Sequence, residues 1–355
     1  MEPVPAPSRL HKLVFWFLLA TLSMALPEVG TLNDPIPWLH PGGWLLGYPV
    51  YGLHILVLAG LMYRWPIAGF TTLMAYGGLF GLYEGYMIKQ LWNPNWGMEL
   101  TASIGGVRVI QTLFLVFWVH PLLAFAVPLV FCELLAVAPG RLTRRLPLLS
   151  KTRRRTALFL VVMGLYLGVM IGRGLEDHGK MVIPLIALAV VAGLGLLWRV
   201  VLRGHRWCMD ELLPRGAEFW ILTGLLGFAY LVIGALVRPE AFPGAWLPHI
   251  LVWCIYGFLS AVIVFLTRGA RPIEDEVRPA RSNAEAILLG CLGATVFLAV
   301  IWVHIPHPQP GETVAILTFF GGAVCNIAVL IWCGVKGAII WHRRTGLSTD
   351  GTAAQ

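Results

Sequence analysis

The stretch FGLYEGYMIKQLWNPNWG, Phe80 to Gly97, closes a long apolar run with a single glutamate, and the direction of that side chain governs how the chain is read. Gly77, Gly81 and Gly85 recur every four residues, a ridge of small residues that lets a second helix approach closely. Glu84 follows Gly81 by three positions and Gly77 by seven, so it shares the ridge's face and is expected to point into a helix bundle, not into lipid. Tyr76 and Tyr83 lie beside it as hydrogen-bond donors.

The rest of the chain supports a membrane setting. Hydrophobic residues make up 58% and charged residues 12% of the 355, against about 25% charged in a soluble domain. The expected fold is all-α, a polytopic membrane helix bundle forming one integral domain over residues 1–355, with a short disordered tail at 345–355. A span takes about 20 apolar residues. On that measure about ten are expected, at 13–29, 44–63, 66–88, 109–137, 157–173, 181–201, 218–237, 246–267, 285–305 and 313–341. The fourth is long and holds Pro121 and Pro128, and the fifth is short. The longest inner loops, 138–156 and 268–283, leave no room for a soluble domain.

Charge gives an orientation. With the N-terminus inside, 21 of the 26 Lys and Arg residues fall on the inner side, leaving Lys89, Arg108, Arg173, Lys180 and Arg238 outside. This asymmetry predicts cytoplasmic N- and C-termini and a multi-pass protein of the plasma (inner) membrane of a prokaryotic-type cell. The net charge of +8 then reflects topology and attraction to anionic lipid, not nucleic-acid binding. The loop Arg141 to Arg155, with seven basic residues, is the expected contact for anionic headgroups. Arg9, Lys12, the run from Leu13 and Ser23-Met24-Ala25 also have the form of a cleavable signal, whose removal would leave nine spans. None of the six cysteines forms a CxxC pair or falls in an outer loop, so neither a disulfide nor a zinc knuckle is expected.

Ionisable groups inside spans are costly, about 2.5 to 3.5 kcal/mol each at the bilayer centre, and point to function. The candidates are Glu28, His54, Glu84, His120, Arg173 and His249, with Tyr51 and Tyr83 as neighbours. At about 1.5 Å rise per residue, His54 and His120 lie roughly 15 Å below the outer surface and Glu84 roughly 6 Å. The polar groups thus concentrate in the outer half. Glu133, nearer the cytoplasm, is expected to serve the interface. Pro121 directly after His120 frees a backbone carbonyl one turn earlier to accept from a buried side chain or water. Lys89 and the tryptophans at 92 and 96 are expected to mark the membrane surface, with Asn93-Pro94-Asn95 as a headgroup-level turn and Gly30 to Gly43 as an opposing rim.

Three functions fit these features. The first is a carrier of a small molecule, ion or lipid, with a Glu/His site in the outer half and unwound backbone at Gly47-Tyr48-Pro49 and at Gly321-Gly322 before Asn326. The second is an intramembrane hydrolase using Glu84 with His120 and His54. It lacks the adjacent second carboxylate of the intramembrane glutamate proteases, and Lys89 lies five residues on, not one turn. The HExxH pattern of zinc hydrolases is also missing from the sequence, so no metal is assigned. The third is an assembly subunit whose buried polar groups lock helix packing.

Overall fold

The computed structural model describes residues 6–31, 33–34, 36–67, 69–92, 102–138, 140–142, 182–202, 207–269 and 309–346, with single positions at 146, 158, 161–162, 166 and 168. Eight helices carry the described chain: α1 Arg9–Thr31, α2 Gly43–Met62, α3 Phe70–Tyr86, α4 Val109–Phe131, α5 Val182–Leu202, α6 Ala217–Leu236, α7 Trp246–Gly269 and α8 Gln309–Gly346. Six of these elements are long and apolar enough to cross a membrane, within α1, α2, α4, α6, α7 and α8. The chain is therefore a helical integral membrane protein. Helix α3 has 17 residues and α5 contributes the shorter apolar segment Leu185–Val201. The expected spans at 157–173 and 285–305, the loop Arg141 to Arg155 beyond Leu142, the turn Asn93-Pro94-Asn95 and the tail from 347 lie outside the described residues, apart from the single positions above. One small departure from an all-α chain is a two-residue hairpin, β1 Ser103–Ile104 with β2 Val107–Arg108.

The chain forms two compact units. In the first, Met1–Gly60 with Val127–Leu226 and Val277–Phe319, α1 packs along α5, with the Phe15 and Trp198 rings 5.5 Å apart. The start of α1 is tied at its polar end. Lys12 Nζ meets Glu218 at 2.8 Å, and Trp16 Nε1 donates to the Leu212 carbonyl at 2.7 Å. Glu133, 1% exposed, accepts the Gly140 N–H at 3.0 Å and so fastens the loop that follows Cys132–Ala136. Asp210 sits 3.1 Å from Arg141 Nε. Burial pushes its carboxyl above the usual carboxylate range, outweighing the opposite pull of Arg141 and Arg215.

The second unit comprises Leu61–Ala126, Gly227–Glu276 and Phe320–Gln355. Here α3 lies against both α4 and α7. Its core joins Leu82, Leu115, Val116, Val252, Leu259 and Leu330. Apolar burial gives helices little drive to associate in lipid, so this seam depends on close van der Waals packing. The glycine ridge supplies it. A Cβ on Gly81 would sit 2.4 Å from the Leu115 carbonyl oxygen, and one on Gly77 would sit 2.4 Å from Pro121 Cα. Helix α4 is itself wide: Thr112–Ala126 is π-helical, and Pro121, with no N–H and a ring that crowds the preceding turn, lies inside that segment. Asn326 Nδ2 donates to the Phe117 carbonyl at 2.7 Å, one turn before the proline.

The expectation of unwound backbone is corrected. The backbone is not unwound at Gly47-Tyr48-Pro49, where a π-helical turn Gly43–Gly47 runs directly into helix Tyr48–Met62. Nor is it unwound at Gly321-Gly322, since α8 runs through both residues and Gly322 gives room to the Trp118 ring. In both places the helix runs on without a break. Lys89, expected to mark the membrane surface, is 0% exposed to solvent. With φ of 64° it turns the chain back after α3 and sends its ammonium to the end of α6. There Nζ donates to Gly234 O at 2.9 Å and to the Ile233 and Val237 carbonyls, and lies 4.5 Å from the Phe242 ring centroid. A cation at a helix C-terminus satisfies carbonyls that have no intrahelical partner and opposes the negative end of the dipole.

Three outcomes follow from this packing. Gly81→Ala forces α3 off the Leu115 carbonyl and is expected to cost about 1–3 kcal/mol, read as a lowered thermal midpoint in detergent; an unchanged midpoint contradicts the close seam. Lys89→Met leaves the α6 carbonyls without their donor and is expected to cost about 1–3 kcal/mol by the same measurement. Because the folded-state pKa of Asp210 is raised, its contribution is present below the unfolded value and is lost as pH rises through the folded value. Asp210→Asn should flatten that fall in a pH series of thermal midpoints, and an identical profile for both proteins contradicts it.

Candidate functional site

The seam between α3 and α4 brings Glu84 to His120. His120 Nε2 lies 2.9 Å from Glu84 Oε2, with side-chain exposures of 1% and 14%. Linear depth along the helices placed these residues roughly 9 Å apart. Two features close that gap. The Glu84 side chain leans toward the N-terminus of α3, and the π-helical turns of α4 displace His120 from ordinary α-helical register.

The other ring nitrogen sets the protonation chemistry. His120 Nδ1 lies 3.2 Å from the Leu115 carbonyl oxygen. A carbonyl only accepts, so Nδ1 carries the hydrogen. The 2.9 Å approach of Nε2 to Oε2 becomes an ion pair when the ring is protonated. The acceptor that enforces this tautomer is the same Leu115 carbonyl that rests against Gly81.

Aromatic rings enclose the histidine. Phe80 lies 5.5 Å from the His120 ring and Tyr83 presents an edge contact at 5.9 Å. Tyr76 stacks on Phe125 at 6.3 Å. One turn before Leu115, Gln111 is 0% exposed, and neither its Oε1 nor its Nε2 has a partner among the described residues. A buried amide of this kind calls for a water or ligand.

The remaining candidates fall elsewhere. His249 is in the second unit, where Nε2 donates to the Pro243 carbonyl at 3.0 Å and Nδ1 lies 3.1 Å from the Tyr86 hydroxyl. Nε2 thus holds the hydrogen, and the ring packs 5.0 Å from Trp92 beside a cavity of about 650 Å3 lined by Tyr86, Trp246, Trp253 and Cys254. In the first unit, Tyr51 Oη donates to Glu28 Oε1 at 2.6 Å and Asn33 Nδ2 to Oε2 at 2.7 Å. His54, 3% exposed, holds the Val50 carbonyl of its own helix at 2.6 Å. At the expected rim, His40 pairs with Asp34 at 2.9 Å. Arg173 lies outside the described residues. Leu115 carries no signal in the sequence, because a main-chain acceptor has no letter of its own; Pro121 is the usable signal for the open Phe117 carbonyl that Asn326 takes up.

No solved structure matches this chain. A protein of Archaeoglobus fulgidus, described as an uncharacterized protein, is 28% identical over 256 residues, covering 71% of this chain and 78% of that protein. A family model described as an uncharacterized membrane protein family matches residues 17–341. The helical membrane architecture agrees with that description, and by this match over most of its length the chain belongs to this membrane protein family.

Proposed function

We propose that this protein is a multi-pass carrier that couples movement of a small solute to protonation at the Glu84–His120 pair. The observation that supports the reading is the 2.9 Å contact between Nε2 and Oε2, in which the Leu115 carbonyl fixes the opposite ring nitrogen as a donor. A proton acceptor buried among membrane helices suits a transport pathway, where occupancy by proton and by solute exclude one another. The proposal includes about ten spans with both termini in the cytoplasm, a prokaryotic-type plasma membrane, and anionic lipid at the basic loop Arg141 to Arg155.

The carrier reading differs from hydrolysis and from a purely structural lock in one measurable respect. Purified protein in liposomes with an internal pH-sensitive dye should move protons when a transported solute is added outside. Glu84→Gln keeps the size and most hydrogen-bonding capacity of the side chain but cannot bind the exchangeable proton. Its solute-driven proton signal is expected to disappear, with at most a small change in thermal midpoint. A variant that carries the same signal as the parent protein sinks the reading. Loss of stability alone, with no solute-dependent proton signal in the parent protein, points to the structural lock.

A further inference from the structure

We infer that the face of α7 from Trp246 to Gly257 is a groove for one hydrocarbon chain of a membrane lipid, a site independent of the Glu84–His120 pair and of the carrier reading. At about 100° per residue, Trp246, Ile250, Trp253 and Gly257 share one side of the helix. Val252, Leu259 and Val262, on the other side, enter the core where α7 meets α3. Trp246, Ile250 and Trp253 stay exposed although α7 is long and apolar enough to cross a membrane, so hydrocarbon is the solvent of this face. The cavity of about 650 Å3 opens here, between these residues and the end of α3 at Tyr86, with His249 and Cys254 completing its wall. Farther along the helix a Cβ on Gly257 would meet nothing within 4 Å, so the open lane continues.

The polar chemistry and the length of this lane decide what lies in it. The Tyr86 hydroxyl donates to His249 Nδ1 at 3.1 Å and His249 Nε2 donates to the Pro243 carbonyl at 3.0 Å, so these two wall residues spend their donors on one another and on the backbone. No charged side chain lines the cavity among the described residues. An ionic solute or headgroup therefore finds no partner there. A second helix is also a poor match, because membrane helices meet across small residues and this face carries two indoles, 81% and 60% exposed. A flexible chain matches the length. Between Trp246 and Gly257 the helix rises roughly 16 Å, close to half of a hydrocarbon core of about 30 Å and so to the depth of one leaflet. Trp246 opens α7, at the level where tryptophans meet headgroups. Left empty, the indole faces and Ile250 forfeit dispersion contacts that a chain restores. Lipid tails are as apolar as the groove, so retention rests on those contacts and not on hydrophobic transfer.

The test titrates the purified full chain in detergent with phosphatidylcholine carrying a diazirine in mid-chain; after photolysis, intact mass counts the attached lipids and peptide mapping places them. Labelling is expected to saturate at one lipid per chain within 246–257, and to be displaced equally by unlabelled phosphatidylcholine and phosphatidylglycerol. Helix α6, where Phe228 and Leu231 are exposed but line none of the cavity, is the control surface. Ile250→Trp and Gly257→Leu fill the lane and should lower the labelling severalfold while eluting as the same monodisperse species, whereas Phe228→Trp should leave it unchanged. Labelling that does not saturate and falls equally on α6 means ordinary boundary lipid and overturns the inference. Displacement by one headgroup alone, or undiminished labelling in both monodisperse filling variants, overturns it as well. A disulfide dimer formed on oxidation and absent from Cys254→Ala places a second copy on this face, with the same consequence. If the filling variants aggregate, saturation and mapping in the parent protein decide. None of these outcomes bears on the Glu84–His120 pair, whose own test is the liposome proton signal.

Discussion

At Gly81 the backbone of α3 meets the Leu115 carbonyl of α4 with no side chain between them, and much of the second unit is arranged around that approach. Because lipid offers no hydrophobic reward for helix association, a seam of this kind must bring backbones close enough for dispersion and polar contacts to act. Two consequences follow from one contact. The helices lie near enough for Glu84 to reach His120, and the carbonyl that receives the glycine also receives His120 Nδ1. Packing thus selects a tautomer. The chemistry of the site is set by main-chain geometry as much as by its two titratable side chains.

The wide turns of α4 are the second element in that arrangement. A π-helical segment containing Pro121 presents carbonyls away from the regular ladder, and these are taken up by His120 and Asn326. Functional sites in helices often coincide with such widened turns, since ordinary α-helical bonding leaves few acceptors to spare. Here the irregularity stays within a continuous helix. It provides polar groups without exposing an unwound strand of backbone to lipid.

Much of this was legible in the sequence, and the failures have identifiable causes. The membrane class followed from composition, and the face of Glu84 followed from a four-residue glycine period, because both depend on local rules. The depth of Glu84 relative to His120 did not follow, because rise per residue ignores both side-chain lean and the altered register of a π-helix. The partner of Lys89 was hidden for a different reason. Charge counting treats every lysine as hydrated, yet this one finds the open carbonyls of α6, a partner distant in sequence by 145 residues at Gly234. Glycine pairs were equally ambiguous: Gly321-Gly322 has the composition of a break, but Gly322 serves as space for an indole. Local composition gives no partner, and these positions acquire their meaning from one.

The bond from Asn326 to the Phe117 carbonyl joins residues 209 positions apart. At synthesis rates of about 5–20 residues per second, the ribosome adds that length in roughly 10 to 40 seconds. During that interval α4 already exists and α8 does not, so the carbonyl beside Pro121 must be solvated by water or by a transient neighbour. A helix that looks hydrophobic enough to partition alone therefore enters the membrane with an unfinished polar group, completed by the last described helix. Assembly of the bundle is in this respect ordered by the chain's own length, and truncation before Asn326 would remove a bond from a helix more than two hundred residues upstream.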